Sequence, residues 1–188
     1  MKIVDTFIEG LKVLEPTVFG DHRGWFMETY NEAVLQEAGI NIQFVQDNQS
    51  FSATKGTLRG LHYQLNPKAQ TKLVRCTKGV IYDVAVDIRK GSPTYGKWFG
   101  VELSAGNKKQ LLIPQGFAHG FMTVTDDVEV QYKVDALYAP DCDRGIIWND
   151  PAINVEWPMD IQPVLSAKDE NAPTLEEADN NFIFGDTK

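Results

Sequence analysis

Period-two alternation over two long runs constrains this chain more than any other feature. From Val80 to Arg89, residues Val80, Tyr82, Val84, Val86 and Ile88 share one parity, and Asp83, Asp87 and Arg89 take the other. From Asp127 to Asp135, residues Val128, Val130, Tyr132 and Val134 alternate with Glu129, Gln131 and Lys133. A period of two marks a strand with one buried face. Further strands are predicted at Val13–Phe19, Phe26–Tyr30, Phe44–Gln49, Thr57–Tyr63, Lys72–Thr77, Lys97–Leu103, Gln110–Ile113 and Ala118–Val124. Turn residues separate them, as at Lys78-Gly79, Gly91-Ser92-Pro93, Ala105-Gly106-Asn107 and Pro114-Gln115-Gly116. One helix is clear, with Asn31 as cap, Glu32 to Ala38 as body and Gly39 as stop. A second short helix is expected in Pro173–Ala178.

Many short strands without alternating helices predict a mostly β fold, an antiparallel jelly-roll (cupin-like) barrel with a few short helices. A length of 188 residues fits a single domain. Its barrel core is expected at about residues 10–150, with a wrapping segment at 151–188 that loses the strand rhythm. The formal net charge of −8 argues against a nucleic-acid binder, whose affinity rests on clustered Lys and Arg. It does not exclude a locally basic pocket for a small anion. Cys76 and Cys142 lie far apart and form no metal or redox motif. The start lacks a secretory signal, and no apolar run reaches the length of a membrane helix. The expectation is a cytoplasmic protein with no membrane partner.

Two of the three histidines sit in unusual company. His62 lies in Leu58-Arg59-Gly60-Leu61-His62-Tyr63-Gln64 and shares parity with Leu58 and Gly60, which points it inward. His119 lies between Ala118 and Gly120 after Pro114-Gln115-Gly116-Phe117, where glycines leave backbone room for a ligand. Inward histidines in a jelly roll first suggest a metal, but position 64 is Gln, which breaks the usual His-x-His pair. Two histidines alone make a weak metal site, so none is expected. Tyr132 stands on an otherwise aliphatic face. Lys72 has the parity of Val74 and Cys76, and a buried lysine needs a carboxylate or an anionic ligand. Arg75, on the other parity, reads as solvated. Arg59 and His62 are three apart and would face opposite sides of a regular strand. Both reach one site only if the strand bulges, and Gly60 makes that plausible.

Read together, these stretches resemble the dTDP-4-dehydrorhamnose 3,5-epimerase family. The resemblance is carried by Phe19-Gly20-Asp21-His22-Arg23-Gly24, Val45-Gln46-Asp47-Asn48, Leu58-Arg59-Gly60-Leu61-His62, Lys72-Leu73-Val74-Arg75, Asp83 to Arg89, Ile113 to Phe121 and Leu165-Ser166-Ala167-Lys168-Asp169. It implies a cofactor-free isomerase that inverts C3 and C5 of a dTDP-4-keto-6-deoxy hexose. By that resemblance His62 is the base, Asp169 orients it, Tyr132 is the acid on the opposite face and Lys72 stands by the C4 oxygen. Phe19, Arg23, Glu28, Gln46, Asp47, Asn48, Arg59, Lys72, His119, Tyr138, Asp143 and Lys168 are expected to bind substrate. Asp143 stands where relatives often have Glu, and Tyr63 where many have Phe. The family also implies a homodimer in which an N-terminal strand crosses over, so that Phe19 or Arg23 completes the partner's site. The competing readings are a single-position epimerase or 3,4-ketoisomerase on the same barrel, a metal-dependent cupin oxygenase, and a non-catalytic sugar-nucleotide binding module.

Overall fold

The computed structural model describes residues 1–158 and 160–186. Its strands build two antiparallel sheets that face each other. One has six strands in the order β1 (Lys2–Asp5), β2 (Lys12–Glu15), β10 (Gln110–Ile113), β7 (Lys72–Lys78), β12 (Val128–Val134) and β5 (Gln46–Ser52). The other has five, in the order β13 (Asp143–Gly145), β6 (Leu58–Gln64), β11 (Phe117–Thr123), β8 (Val80–Asp87) and β9 (Trp98–Ser104). From β5 to β13 the chain crosses between the sheets at every step except the β8–β9 hairpin, which is the jelly-roll arrangement expected. A separate hairpin pairs β3 (Val18–Asp21) with β4 (Gly24–Met27).

Apolar residues fill three layers. Val74, Cys76, Ile81, Ala85, Leu111, Val128 and Val130 pack between the sheets. On the far side of the six-stranded sheet, Leu14, Leu73 and Leu112 are covered by Leu35 and Ile40. Leu35 belongs to helix α1 (Glu32–Glu37). Asn31 caps that helix, its Oδ1 accepting from the amides of Ala33 and Val34. On the far side of the five-stranded sheet, Leu61, Val84, Val86, Ile88 and Met122 meet Ile153, Trp157, Ile161, Leu175 and Phe182 of the C-terminal segment.

That third layer corrects the reading of β8. Its apolar parity faces outward and is covered by the C-terminal segment. Its acidic parity faces inward, and Asp83 and Asp87 are both 0% exposed. The apolar side chains after residue 150 needed an apolar surface to cover, and β8 supplied it. A strand buried on both faces has no solvent side, so alternation reports chemistry and not exposure. Asp87 accepts from Arg89, Ser92 and Thr94, which accommodates its burial.

Several boundaries also differ. The expected strand Val13–Phe19 divides at Pro16 into β2 and β3, since proline has no amide to give a ladder. The expected Phe26–Tyr30 strand ends at Met27, and Phe44–Gln49 shifts to Gln46–Ser52. The ends β1 and β13 carry too little alternation to be read. Pro173–Ala178 forms turns, with Thr174 bonded to Glu177 and the Ala178 amide to the Thr174 carbonyl. The second helix is instead α2 (Ala167–Glu170), capped by Ser166.

Candidate active site

The site begins with an irregularity in β6. His62 pairs with His119 and Arg59 with Phe121, so three steps on β6 match two on β11. The extra residue is a bulge, and it inverts parity along β6. Leu58 and Leu61 therefore both join the outer apolar layer, while Arg59 and His62 line one cavity of about 460 Å³ between the sheets. His62 points inward as expected, but not because it shares a face with Leu58. Gly60 has φ +136°, and a Cβ there would lie 2.5 Å from the Gly120 Cα. The glycine after His119 thus admits the neighbouring strand rather than a ligand.

His62 Nε2–H donates to the Asp169 carboxylate Oδ1 at 2.5 Å. That leaves Nδ1 as the ring nitrogen available to a bound molecule. Asp169 sits on α2 and is buried. Burial alone would raise its carboxyl, but the bond and charge of His62, then Ser166 and Lys168, outweigh it and hold the carboxyl below its usual range.

The opposite wall comes from the six-stranded sheet. Lys72 and Tyr132 both face the cavity, on the parities read from sequence. Neither the Lys72 ammonium nor the Tyr132 hydroxyl makes a hydrogen bond among the described residues. Burial raises the Tyr132 phenol, with the Arg59 charge opposing, so it holds its proton at neutral pH. Burial pushes the Lys72 ammonium down to about 8, against the opposing charges of Asp83 and Asp143.

A second lobe, about 440 Å³, shares His62, Lys72, Tyr132 and Lys168 with the first. Gln46, Asn48, Tyr138 and Asp143 line it. Gln46 Nε2 donates to Asn48 Oδ1 at 2.8 Å, and Asp143 pairs with Lys168. Gln64, also in this lobe, donates to the Lys68 and Leu137 carbonyls and accepts from the Ala139 amide. It clamps the loop that carries Tyr138.

Four expected binding residues are not brought here. Asp47 has the other parity of β5 and pairs with Lys133 Nζ at 2.8 Å on the outer face. Phe19 and Arg23 lie on the β3–β4 hairpin, where Arg23 is held by Asp21. Glu28 is exposed beside it and accepts from Asn31. Arg75 is not solvated either; it is half-buried on the outer face and donates to Gln131.

Two residues at the site escaped the sequence reading. Asp83 Oδ1 meets His119 Nε2 at 2.8 Å, deep in the barrel. Its Oδ2 has no hydrogen-bond partner among the described residues. Burial lowers the His119 imidazole, and the Asp83 charge and hydrogen bond oppose that. The signal was the pair of acids four apart on one parity of β8. Ser166 bonds Asp169, and its signal was the Ser-x-x-Asp spacing of a capping box.

Together the two walls define an interior acid–base site: a carboxylate-paired imidazole facing a phenol and an ammonium across a cavity large enough for a sugar. The chain belongs to the dTDP-4-dehydrorhamnose 3,5-epimerase family, whose model matches residues 5–177. A dTDP-4-dehydrorhamnose 3,5-epimerase of Shigella flexneri is 56% identical over 95% of this chain and 98% of its own. A Legionella pneumophila dTDP-6-deoxy-D-glucose-3,5-epimerase, solved with dTDP-4-keto-L-rhamnose, is 46% identical and superposes with a TM-score of 0.91, over 95% of this chain and 94% of its own. A 3'-monoepimerase of Streptomyces bikiniensis, solved with dTDP-quinovose, is 37% identical with a TM-score of 0.87, over 92% of this chain and 87% of its own.

The buried charges make one expectation direct. Removing the Asp83 charge by Asp83→Asn leaves burial of Lys72 less opposed. The Lys72 ε-carbon resonance is expected to titrate at lower pH in this variant than in the unaltered protein, where burial is expected to bring it to about 8. An unchanged titration would show that Asp83 does not act on Lys72.

Proposed function

We propose that this enzyme converts dTDP-4-dehydro-6-deoxy-D-glucose to dTDP-4-dehydro-L-rhamnose, inverting C3 and C5 without a cofactor. The observation that carries the reading is that His62 and Tyr132 enter one cavity from opposite sheets. Inversion at carbon needs a base on one face and an acid on the other. His62 Nδ1 removes the proton beside the C4 ketone, and the C–H electron pair moves into the C4 oxygen as an enolate. Asp169 stabilises the imidazolium through Nε2. Lys72 stands by the enolate oxygen, where one preorganised donor is worth about 3 kcal/mol. Tyr132 returns a proton to the opposite face. A phenol that keeps its proton at neutral pH suits that task better than abstraction. Solvent takes the imidazolium proton and reprotonates the phenolate, and the same groups then serve the second carbon when the ring turns.

The second lobe suits the nucleotide. Tyr138 is 58% exposed and offers a ring to stack on thymine, while the Gln46 and Asn48 amides match the donor and acceptor edge of the base. Lys168, common to both lobes, and Arg59 of the first supply charge for the diphosphate, with His119 deeper in the first lobe. Relatives of about half identity favour inversion at both carbons over the one-carbon reaction of the monoepimerase.

The exposed hairpin supports a homodimer. Phe19, Trp25 and Phe26 are 61%, 59% and 65% exposed, an apolar patch that a second copy of the chain would cover. Phe19, Arg23 and Glu28 would then serve the partner's cavity. Sedimentation is expected to give a dimer that Phe19→Ser with Phe26→Ser converts to monomer with raised KM. A wild-type monomer would contradict this.

Incubation with dTDP-4-keto-6-deoxyglucose in D2O tests the reaction itself. Deuterium is expected at both C3 and C5, with the L-lyxo product trapped by a reductase. His62→Ala is expected to lose about 10²- to 10⁴-fold in exchange. Deuterium at C3 alone would make the protein a single-position epimerase.

A further inference from the structure

The base His62 is held by Asp169, and Asp169 is itself held by one further side chain. The segment before α2 is tied to the start of β6: the Val164 amide donates to the Gly56 carbonyl at 2.8 Å, and the Leu58 amide to the Val164 carbonyl at 2.9 Å. Two residues on, Ser166 adopts an extended backbone and caps α2. Its Oγ accepts from the Asp169 amide at 3.2 Å and donates to Asp169 Oδ2 at 2.9 Å. Asp169 therefore spends Oδ2 on Ser166 and Oδ1 on His62. A short helix has little rigidity of its own, since nucleating one is unfavourable. The cap is what fixes where this carboxylate points.

We infer that Ser166 is a positioning residue of the epimerase site, whose hydroxyl sets the orientation of the Asp169 carboxylate and through it the His62 ring. The inference rests on His62 being the base. Ser166 is exposed, so a substitution there leaves the apolar layers undisturbed. The same hydroxyl has two separable tasks. Accepting from the helix amide is capping, and Gly is itself well tolerated at an N-cap in place of Ser. Donating to Asp169 Oδ2 is positioning, and Gly cannot do it. Thr retains both.

The experiment compares Ser166→Gly, Ser166→Thr and His62→Ala in the full-length enzyme. Solvent deuterium exchange into dTDP-4-keto-6-deoxyglucose, the melting temperature and the ¹⁵N-histidine NMR spectrum are the readouts. The chain has only three histidines, so the His62 resonance can be assigned by the His62→Ala variant. Ser166→Gly is expected to lower kcat about 10- to 100-fold with KM and melting temperature near those of the unaltered enzyme. The hydrogen-bonded His62 Nε2 proton should shift or broaden. Ser166→Thr is expected to restore rate and resonance. Wild-type kcat in Ser166→Gly, or a Thr variant as slow as the Gly variant, would overturn the inference while the inactivity of His62→Ala left the base assignment standing. Full exchange in His62→Ala would overturn the base assignment, and this inference with it.

Discussion

The close approach of Gly60 to Gly120 is the contact on which the rest of the site depends. Only two glycines let β6 and β11 come together at that point, because a Cβ on Gly120 would lie 2.8 Å from the Arg59 carbonyl. The bulge it permits turns Arg59 and His62 into the same cavity. A regular strand would send one of them into the layer beneath the C-terminal segment. There a cation would lie among Leu61, Val84 and Trp157, without the partners that burial of charge requires.

The interior of this barrel is polar by construction. Asp83, His119, Lys72, Tyr132 and His62 all occupy the space between the sheets, next to an apolar layer of Val74, Val128 and Val130. Desolvation is the common force. It lowers the Lys72 ammonium and the His119 imidazole and raises the Tyr132 phenol. The Asp83 carboxylate opposes it at both Lys72 and His119. Groups are thereby held near the protonation states that proton transfer at a ketone needs, without a strong net charge in the cavity.

Much of this was legible in the sequence. Alternation placed Tyr132 and Lys72 inward, and both line the cavity. The three-residue spacing of Arg59 and His62 required a bulge if both were to reach one site, and Gly60 marked where it could form. The misreading of β8 has a plain physical cause. Period two says that two faces differ and does not say which one meets solvent, so Asp83 and Asp87 were placed on the wrong side of β8. The deciding information lay some seventy residues away, in the apolar side chains of the C-terminal segment that cover the other face. Phe19, Arg23 and Glu28 illustrate a second limit. A single chain leaves them on or beside an exposed hairpin, and their place in a site depends on what covers it.

The central claim is that His62 works from one face and Tyr132 from the other. Tyr132→Phe, incubated with the 4-keto sugar in D2O and followed by NMR, tests it most directly. The account predicts that deuterium still enters beside the ketone, since His62 removes and returns protons on its own face, while configuration is retained. Loss of exchange together with inversion would mean that Tyr132 takes part in abstraction, and unimpaired inversion would mean that the acid is another group; either result would contradict the account.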